Sequence, residues 1–322
     1  MNSINHYREE FLAHLRTSIA VKEPRNLYEP IDYILQLGGK RLRPVLTLIA
    51  ADLFGGDYRK ALPAAAAVEV FHNFSLVHDD IMDNASLRRG KATVHQKWNS
   101  NIAILSGDAM LICAYRLLES YPPDTFAALA KLFSKTALEV CEGQQWDMDF
   151  ETQAQVSIPQ YLQMIRYKTA VLVGAALQMG AIIAGASIEN QRLIYDFGVT
   201  IGLAFQLQDD YLDTFGDEAF GKKIGGDILE NKKTILYLKA LDLADEAQRN
   251  TLIAQYTTSE ENDAKIAIVT QLFRQTGAAE AVRDEITRTT DEALNLLEHI
   301  TISDENRAYL KQFALELMNR KV

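Results

Sequence analysis

The chain has 322 residues and a net charge of −10, with 48% apolar and 24% charged residues. That composition is globular rather than disordered. The acidic balance excludes a general nucleic-acid binder, which needs a basic face. The two cysteines, Cys113 and Cys141, fit no metal-binding spacing and need no disulfide framework, which points to a reducing cytoplasm. The first twenty residues carry scattered charges and no apolar core, so they do not read as a secretory signal.

Helical periodicity dominates from the N-terminus onward. Ile31, Ile34, Leu35 and Leu37 keep apolar spacing up to the Gly38-Gly39 break. Val68, Phe71, Ser75 and His78 mark one face of a helix over residues 64–78. Residues 169–188 form an uncharged stretch of 20, long enough to span a bilayer. It is rich in Ala and Gly, and Ala176, Gly180 and Ala184 fall on one helical face. A central helix packed closely on its neighbours is therefore predicted, rather than an integral membrane segment. Ile194, Phe197, Ile201 and Phe205 repeat every three or four residues, predicting another long helix. Breaks fall at Gly55-Gly56, Pro122-Pro123, residues 157–159 and Gly225-Gly226. Residues 160–322 contain no proline and few turn clusters, which disfavours a strand-rich fold. The polar stretch 241–265 reads as peripheral helices and a surface loop. The prediction is one all-α domain over residues 1–322, with ten or more helices.

One pattern occurs twice. His78 is followed by Asp79-Asp80-Ile81-Met82-Asp83, and Gln208 by Asp209-Asp210-Tyr211-Leu212-Asp213. Each is Asp-Asp-x-x-Asp at the end of an apolar helical run. On a helix, residues i and i+4 share a face, so Asp79 pairs with Asp83 and Asp209 with Asp213. One acidic triplet is an ordinary solvated face. Two identical ones, with helices facing across a cavity, would gather six carboxylates that need cations. Oxygen donors without His or Cys suit Mg²⁺, which shares its shell with water and phosphate. Basic residues accompany both copies: Gly38-Gly39-Lys40-Arg41-Leu42-Arg43, then Arg88-Arg89-Gly90-Lys91, then Gly221-Lys222-Lys223 and Lys232-Lys233. Arg forks and Lys ammonium groups suit phosphate oxygens. His72 lies seven residues before Asp79, two turns along the same side of the helix.

These segments, GGKRLRP, HDDIMDNASLRRG, Lys168-Thr169, FQLQDDYLD and GKKIGGD, stand in an order and spacing that resemble the trans-prenyltransferases, the polyprenyl diphosphate synthases. The resemblance implies an all-α isoprenoid-synthase helical bundle around a central cavity. It also implies head-to-tail condensation of isopentenyl diphosphate with an allylic diphosphate. By the same resemblance Lys40, Arg43, His72 and Arg89 hold isopentenyl diphosphate, with Arg41 beside them. Asp79, Asp83 and Asp209 bind Mg²⁺, three ions per active site, and Asp80, Asp210 and Asp213 complete the acidic shells, Asp213 as a further metal ligand. Arg88, Lys168, Lys222 and Lys232 contact the allylic diphosphate; Lys223 competes with Lys222 for its contact. Thr169 and Gln206 line the reacting carbons. Phe74, with Phe71 behind it, is the floor of the product tunnel, which implies a C20 product, with C15 next. The family is commonly homodimeric. Four rivals fit worse. A metal phosphohydrolase leaves the second triplet unexplained. A di-iron bundle needs a second Glu-x-x-His besides Glu69-x-x-His72. A terpene cyclase lacks the GGKR site, and a regulatory subunit usually loses a triplet.

Overall fold

The computed structural model describes residues 1–216, 224–258 and 262–318. Sixteen α-helices are present among them, with one short hairpin. They divide into two compact units, each built from two stretches of chain: residues 1–135 with 175–192, and residues 136–174 with 193–322.

The first unit starts with α1 (Ile4–Ser18), α2 (Arg25–Gln36), α3 (Leu42–Leu53), α4 (Leu62–Met82), α5 (Val94–Lys97) and α6 (Ser100–Leu118). It also takes in the start of α7 (Pro123–Thr152) and most of α9 (Val171–Ile183). Helix α4 sits at its centre. Ala64, Ala65, Ala66 and Ala67 are fully buried, and such small side chains let neighbouring helices approach closely. Phe71 is fully buried against Phe133, with ring centroids 5.2 Å apart. The close packing predicted for the uncharged stretch is present. A Cβ at Gly180 would lie 2.2 Å from the Thr47 carbonyl oxygen and 2.8 Å from Ala50 Cβ, so only glycine lets α9 lie directly on α3. The segment after the first aspartates is a hairpin of β1 (Leu87–Arg88) and β2 (Lys91–Ala92). Arg89 and Gly90 both take positive φ, 53° and 73°, as a two-residue primed turn requires.

The second unit holds α8 (Ile158–Ile165), α10 (Ile188–Phe215) from Leu193 onward, α11 (Gly226–Leu229), α12 (Ile235–Leu243), α13 (Glu246–Thr257), α14 (Asp263–Gln275), α15 (Ala278–Glu298) and α16 (Asp304–Met318). Leu207, Ile228, Ile235, Leu236, Val269 and Phe273 form its core. Ser157 and Gln160 make a reciprocal capping box that starts α8 at the break seen in the sequence. Between α8 and α9, residues Arg166–Ala170 form a single π-helical turn. One described helix, α6, is long and apolar enough to cross a membrane by length and composition.

Candidate active site

In the first unit a basic cluster surrounds His72. The turn between α2 and α3 carries Lys40, Arg41 and Arg43, and the three cations do different things. Lys40 is exposed. Arg41, in a left-handed backbone conformation at φ 50°, is only 5% exposed. Its guanidinium pairs with buried Glu69 and donates to the carbonyls of Leu35 (2.6 Å) and Leu37 (2.9 Å) at the C-terminal end of α2. Glu69 also accepts from Asn73 Nδ2 at 3.0 Å. Arg41 therefore has its guanidinium spent on the fold, and the substrate contact expected of it from the sequence finds no support in this geometry. Arg43 reaches His72 instead, Nη1 to Nε2 at 3.3 Å. Arg89 donates to the carbonyls of Leu37 (2.9 Å) and Gly38, which ties the hairpin to the glycine turn. Burial, then the charges of Arg43, Arg89, Arg41 and Arg88, holds the His72 imidazole well below its usual range, so the ring is neutral. A neutral ring among arginines offers one N–H and one lone pair to an anion that the arginines attract.

The first aspartate triplet closes α4. Asp79 is half-buried, Asp80 fully buried and Asp83 exposed as the C-cap. Arg88 bonds Asp80 Oδ1 through Nε (2.9 Å) and Nη2 (2.5 Å), and lies 3.6 Å from Asp79. Burial pushes the Asp80 carboxyl up and the bonds from Arg88 pull it back. Its second oxygen, Oδ2, is buried without a hydrogen-bond partner. Phe74 stacks edge-on against His78 at 4.8 Å and lies 5.5 Å from Phe71. Phe71 is fully buried, while Phe74 keeps 9% of its surface.

In the second unit a cavity of about 220 Å³ is lined by Asp147, Tyr161, Lys168, Thr169, Gln206, Asp209, Asp210, Asp213, Asp227 and Lys232, among others. Lys168 and Thr169 sit on the π-helical turn, a rare geometry frequent at functional sites. Gly143 on α7 makes room for it: a Cβ there would stand 2.3 Å from the Lys168 backbone nitrogen. Lys168 Nζ bonds Asp147 Oδ2 at 2.5 Å. Thr169 donates to Gln206 Oε1 (3.2 Å), Gln206 Nε2 to Asp210 Oδ1 (3.0 Å), and Tyr161 to Asp210 Oδ2. Burial, then the charge of Asp227, pushes the Asp210 carboxyl up to about 8 against the bonds from Tyr161 and Gln206.

Asp213 is 8% exposed and accepts from the Asp227 backbone N–H at 3.0 Å. It anchors the Gly225-Gly226 turn, so the metal-ligand role read for it from the sequence competes with a structural one. Lys233 caps the C-terminal end of α7, donating to the carbonyls of Phe150 (2.7 Å), Glu151 (3.2 Å) and Gln153 (2.6 Å). Its neighbour Lys232 pairs with Glu230 at 2.7 Å and lies 4.0 Å from Asp227. Burial lowers the Lys232 ammonium, but Glu230, Asp227 and Asp147 outweigh it and raise it. Lys222 and Lys223 lie outside the described residues.

Asp147, Tyr161 and Asp227 were missed in the sequence. Asp227 belongs to the GGD segment and could have been found there; Tyr161 and Asp147 sit in amphipathic helices with no local signal. Every titratable acid reaching the cavity offers oxygen, the donor set of a hard cation. No group of three or more His, Cys, Asp or Glu side chains is already gathered for a metal among the described residues.

Residues 24–273 match the polyprenyl synthetase family model. The chain is 37% identical over 321 residues to the short chain isoprenyl diphosphate synthase of Methanothermobacter thermautotrophicus, covering 98% of each. It is 54% identical to a geranylgeranyl pyrophosphate synthase of known crystal structure, with a TM-score of 0.96 and all of both chains covered. A geranylgeranyl pyrophosphate synthase from Corynebacterium glutamicum, solved with isoprenyl diphosphate and magnesium, is 30% identical with a TM-score of 0.86 over 98% of each chain. The match over most of the chain and these likenesses agree, and the chain belongs to the polyprenyl synthetase family.

Proposed function

We propose that this protein is a short-chain prenyltransferase, condensing isopentenyl diphosphate head-to-tail with allylic diphosphates to an all-trans C20 diphosphate. Residues 1–322 are read as one polyprenyl synthetase domain. The observation that carries the reading is the second-unit cavity, which sets the Lys168 ammonium and the Thr169 and Gln206 oxygens among five aspartates. The 54% identity to a geranylgeranyl pyrophosphate synthase supports C20 over C15.

Each residue then has a task. Lys40, Arg43, His72 and Arg89 bind isopentenyl diphosphate, with Arg41 holding their turn in shape. Arg88, Lys168, Lys232 and one of the two lysines 222 and 223 bind the allylic diphosphate. Asp79, Asp83 and Asp209 are the carboxylates that would hold Mg²⁺, with Asp80 and Asp210 next to them in the two triplets. Three bound Mg²⁺ ions would neutralise the diphosphate and stabilise it as a leaving group. As the allylic C–O bond ionises, the cations around the diphosphate stabilise developing negative charge. The Thr169 hydroxyl and Gln206 amide oxygens face the carbons left positive. The alkene of isopentenyl diphosphate attacks, and the released diphosphate takes the departing proton. A closed, apolar tunnel keeps water from the cation, and Phe74, backed by Phe71, sets its depth.

The outer face of α6, with Ile104 43%, Leu105 60% and Ile112 59% exposed, is the proposed surface for a second copy in a homodimer. The two free thiols suit a cytoplasmic protein. The test is direct: purified protein, Mg²⁺, labelled isopentenyl diphosphate, and dimethylallyl, geranyl or farnesyl diphosphate in turn, followed by dephosphorylation and separation by chain length. A C20 product that disappears with EDTA is expected. No elongation from any starter would sink the reading.

A further inference from the structure

We infer that Tyr161 and Asp210 are positioning residues that fix the direction of a hydrogen-bond chain ending at the Thr169 hydroxyl. The inference rests on the prenyl-transfer reading and deepens it. Four side chains from three elements take part: Tyr161 on α8, Asp210 and Gln206 on α10, and Thr169 on the π-helical turn. Tyr161 and Asp210 are 4% and 5% exposed, so water does not compete for their bonds.

The direction follows from what each group can donate. Tyr161 occupies Asp210 Oδ2, leaving Oδ1 for Gln206. That oxygen accepts from the Gln206 amide, whose Nε2 is turned to it at 3.0 Å. The amide oxygen is thereby pointed at Thr169. An amide oxygen accepts and never donates, so the Thr169 hydroxyl must spend its single proton on it, at 3.2 Å. Thr169 lines the cavity and presents only lone pairs there. The opposite amide orientation would leave the hydroxyl proton free to swing into the cavity, where it would oppose a developing cation. The i, i+4 spacing of Gln206 and Asp210 puts both on one face of α10, so a single tyrosine at the end of the chain sets all the others.

No motif or spacing assigns Tyr161 a role, and a tyrosine in an amphipathic helix is ordinarily core. A purely packing residue and a positioning residue separate cleanly in a mutant cycle. Wild type, Tyr161→Phe, Thr169→Val and the double variant are assayed for C5 addition to geranyl diphosphate with Mg²⁺, and their folding is checked by circular dichroism melts. Tyr161→Phe is expected to lower kcat roughly 10- to 100-fold while leaving both KM values within about twofold, because it misdirects a group rather than removing a binding contact. The double variant is expected to fall no more than about twofold below the weaker single, since both changes break one chain. Tyr161→Phe at wild-type kcat, losses that multiply in the double variant, or a defect confined to KM would each overturn the inference. Should Tyr161→Phe not fold, the Asp210→Ala and Thr169→Val cycle, which keeps Tyr161, applies the same criterion. A wild-type protein that adds no C5 unit would instead refute the prenyl-transfer reading itself.

Discussion

Arg41 and Arg43 stand two residues apart in one basic turn, and they should respond to removal in opposite ways. In Arg41→Met the Glu69 carboxylate loses its ion pair while remaining 3% exposed, with only Asn73 Nδ2 at 3.0 Å to replace it. Removing one member of a buried pair costs about 3–5 kcal/mol, because the remaining charge has nothing to balance it. The carbonyls of Leu35 and Leu37 lose a donor as well. Urea unfolding followed by far-ultraviolet circular dichroism reads this loss directly. Steady-state kinetics on the same variant should give a KM for isopentenyl diphosphate within about twofold of wild type, the mark of a residue outside the substrate contact. Arg43→Met should do the reverse, raising that KM at least tenfold with a stability loss of about 1 kcal/mol or less. Arg41→Met with Glu69→Leu should recover most of the stability, since the apolar pair leaves no buried charge. If Arg41→Met unfolds within about 1 kcal/mol of wild type and raises the KM tenfold, its guanidinium is on the substrate and the structural role is refuted.

Three further outcomes follow from the same geometry. Asp79→Ala and Asp209→Ala should each cut kcat by about two orders of magnitude or more with melts unchanged, because they remove charge stabilisation of the leaving group; near-normal turnover in either would refute the metal assignment. Phe74→Ala should lengthen the product by one or more C5 units, read by reversed-phase separation of the alcohols, and an unchanged distribution would end the floor assignment. His72 is titrated more easily in the unfolded chain than in the folded one, so its stabilisation is complete above about pH 6.5 and is lost as the pH falls below it. The slope contributed is up to about 1.4 kcal/mol per pH unit, and His72→Gln should flatten the profile by that much between pH 6.5 and 5; an unaltered slope would mean the ring protonates normally.

Much of the fold was legible in local chemistry. Pro123, Ser157 and Gly226 each stand where the sequence places a break and where α7, α8 and α11 begin or are capped. The small-residue stripe through Gly180 gave α9 its place, because close helix approach needs a missing side chain and nothing else. The site was legible only as a set of residue types. Which cation in Gly38-Gly39-Lys40-Arg41-Leu42-Arg43 turns inward depends on Glu69, 28 positions later, and on the carbonyls that α2 leaves unpaired. Lys168 is oriented by Asp147, 21 positions earlier, and its π-helical turn by the absent side chain of Gly143. Such partners are set by tertiary packing, and neither spacing nor propensity announces them.

The two aspartate triplets make the same point most sharply, since their sequences match while their surroundings do not. The first stands where its helix stops: Asp83 is the exposed C-cap of α4, and the chain turns at once through Asn84 with φ 49°. The return hairpin brings Arg88 back over the helix end, so the buried middle aspartate, Asp80, is held by a cation. The second triplet stands inside α10, which runs on to Phe215. Its middle aspartate, Asp210, is held by neutral groups, Tyr161 and Gln206. Its last aspartate faces inward and grips the backbone of the Gly225-Gly226-Asp227 turn. The leading aspartates, Asp79 and Asp209, remain half-buried at the end of each arrangement, one beside an arginine and one in a cavity rimmed by other carboxylates. A middle aspartate tied to a cation is already balanced in charge, whereas one tied to a phenol and an amide is not. Neutralising the middle position should therefore have unequal consequences: Asp80→Asn strands Arg88 and weakens the fold, while Asp210→Asn keeps its neighbours bonded and should leave the melting temperature at or above that of wild type. Equal losses of stability in the two variants, measured by calorimetry without substrate, would show that the triplets are equivalent in environment as well as in sequence.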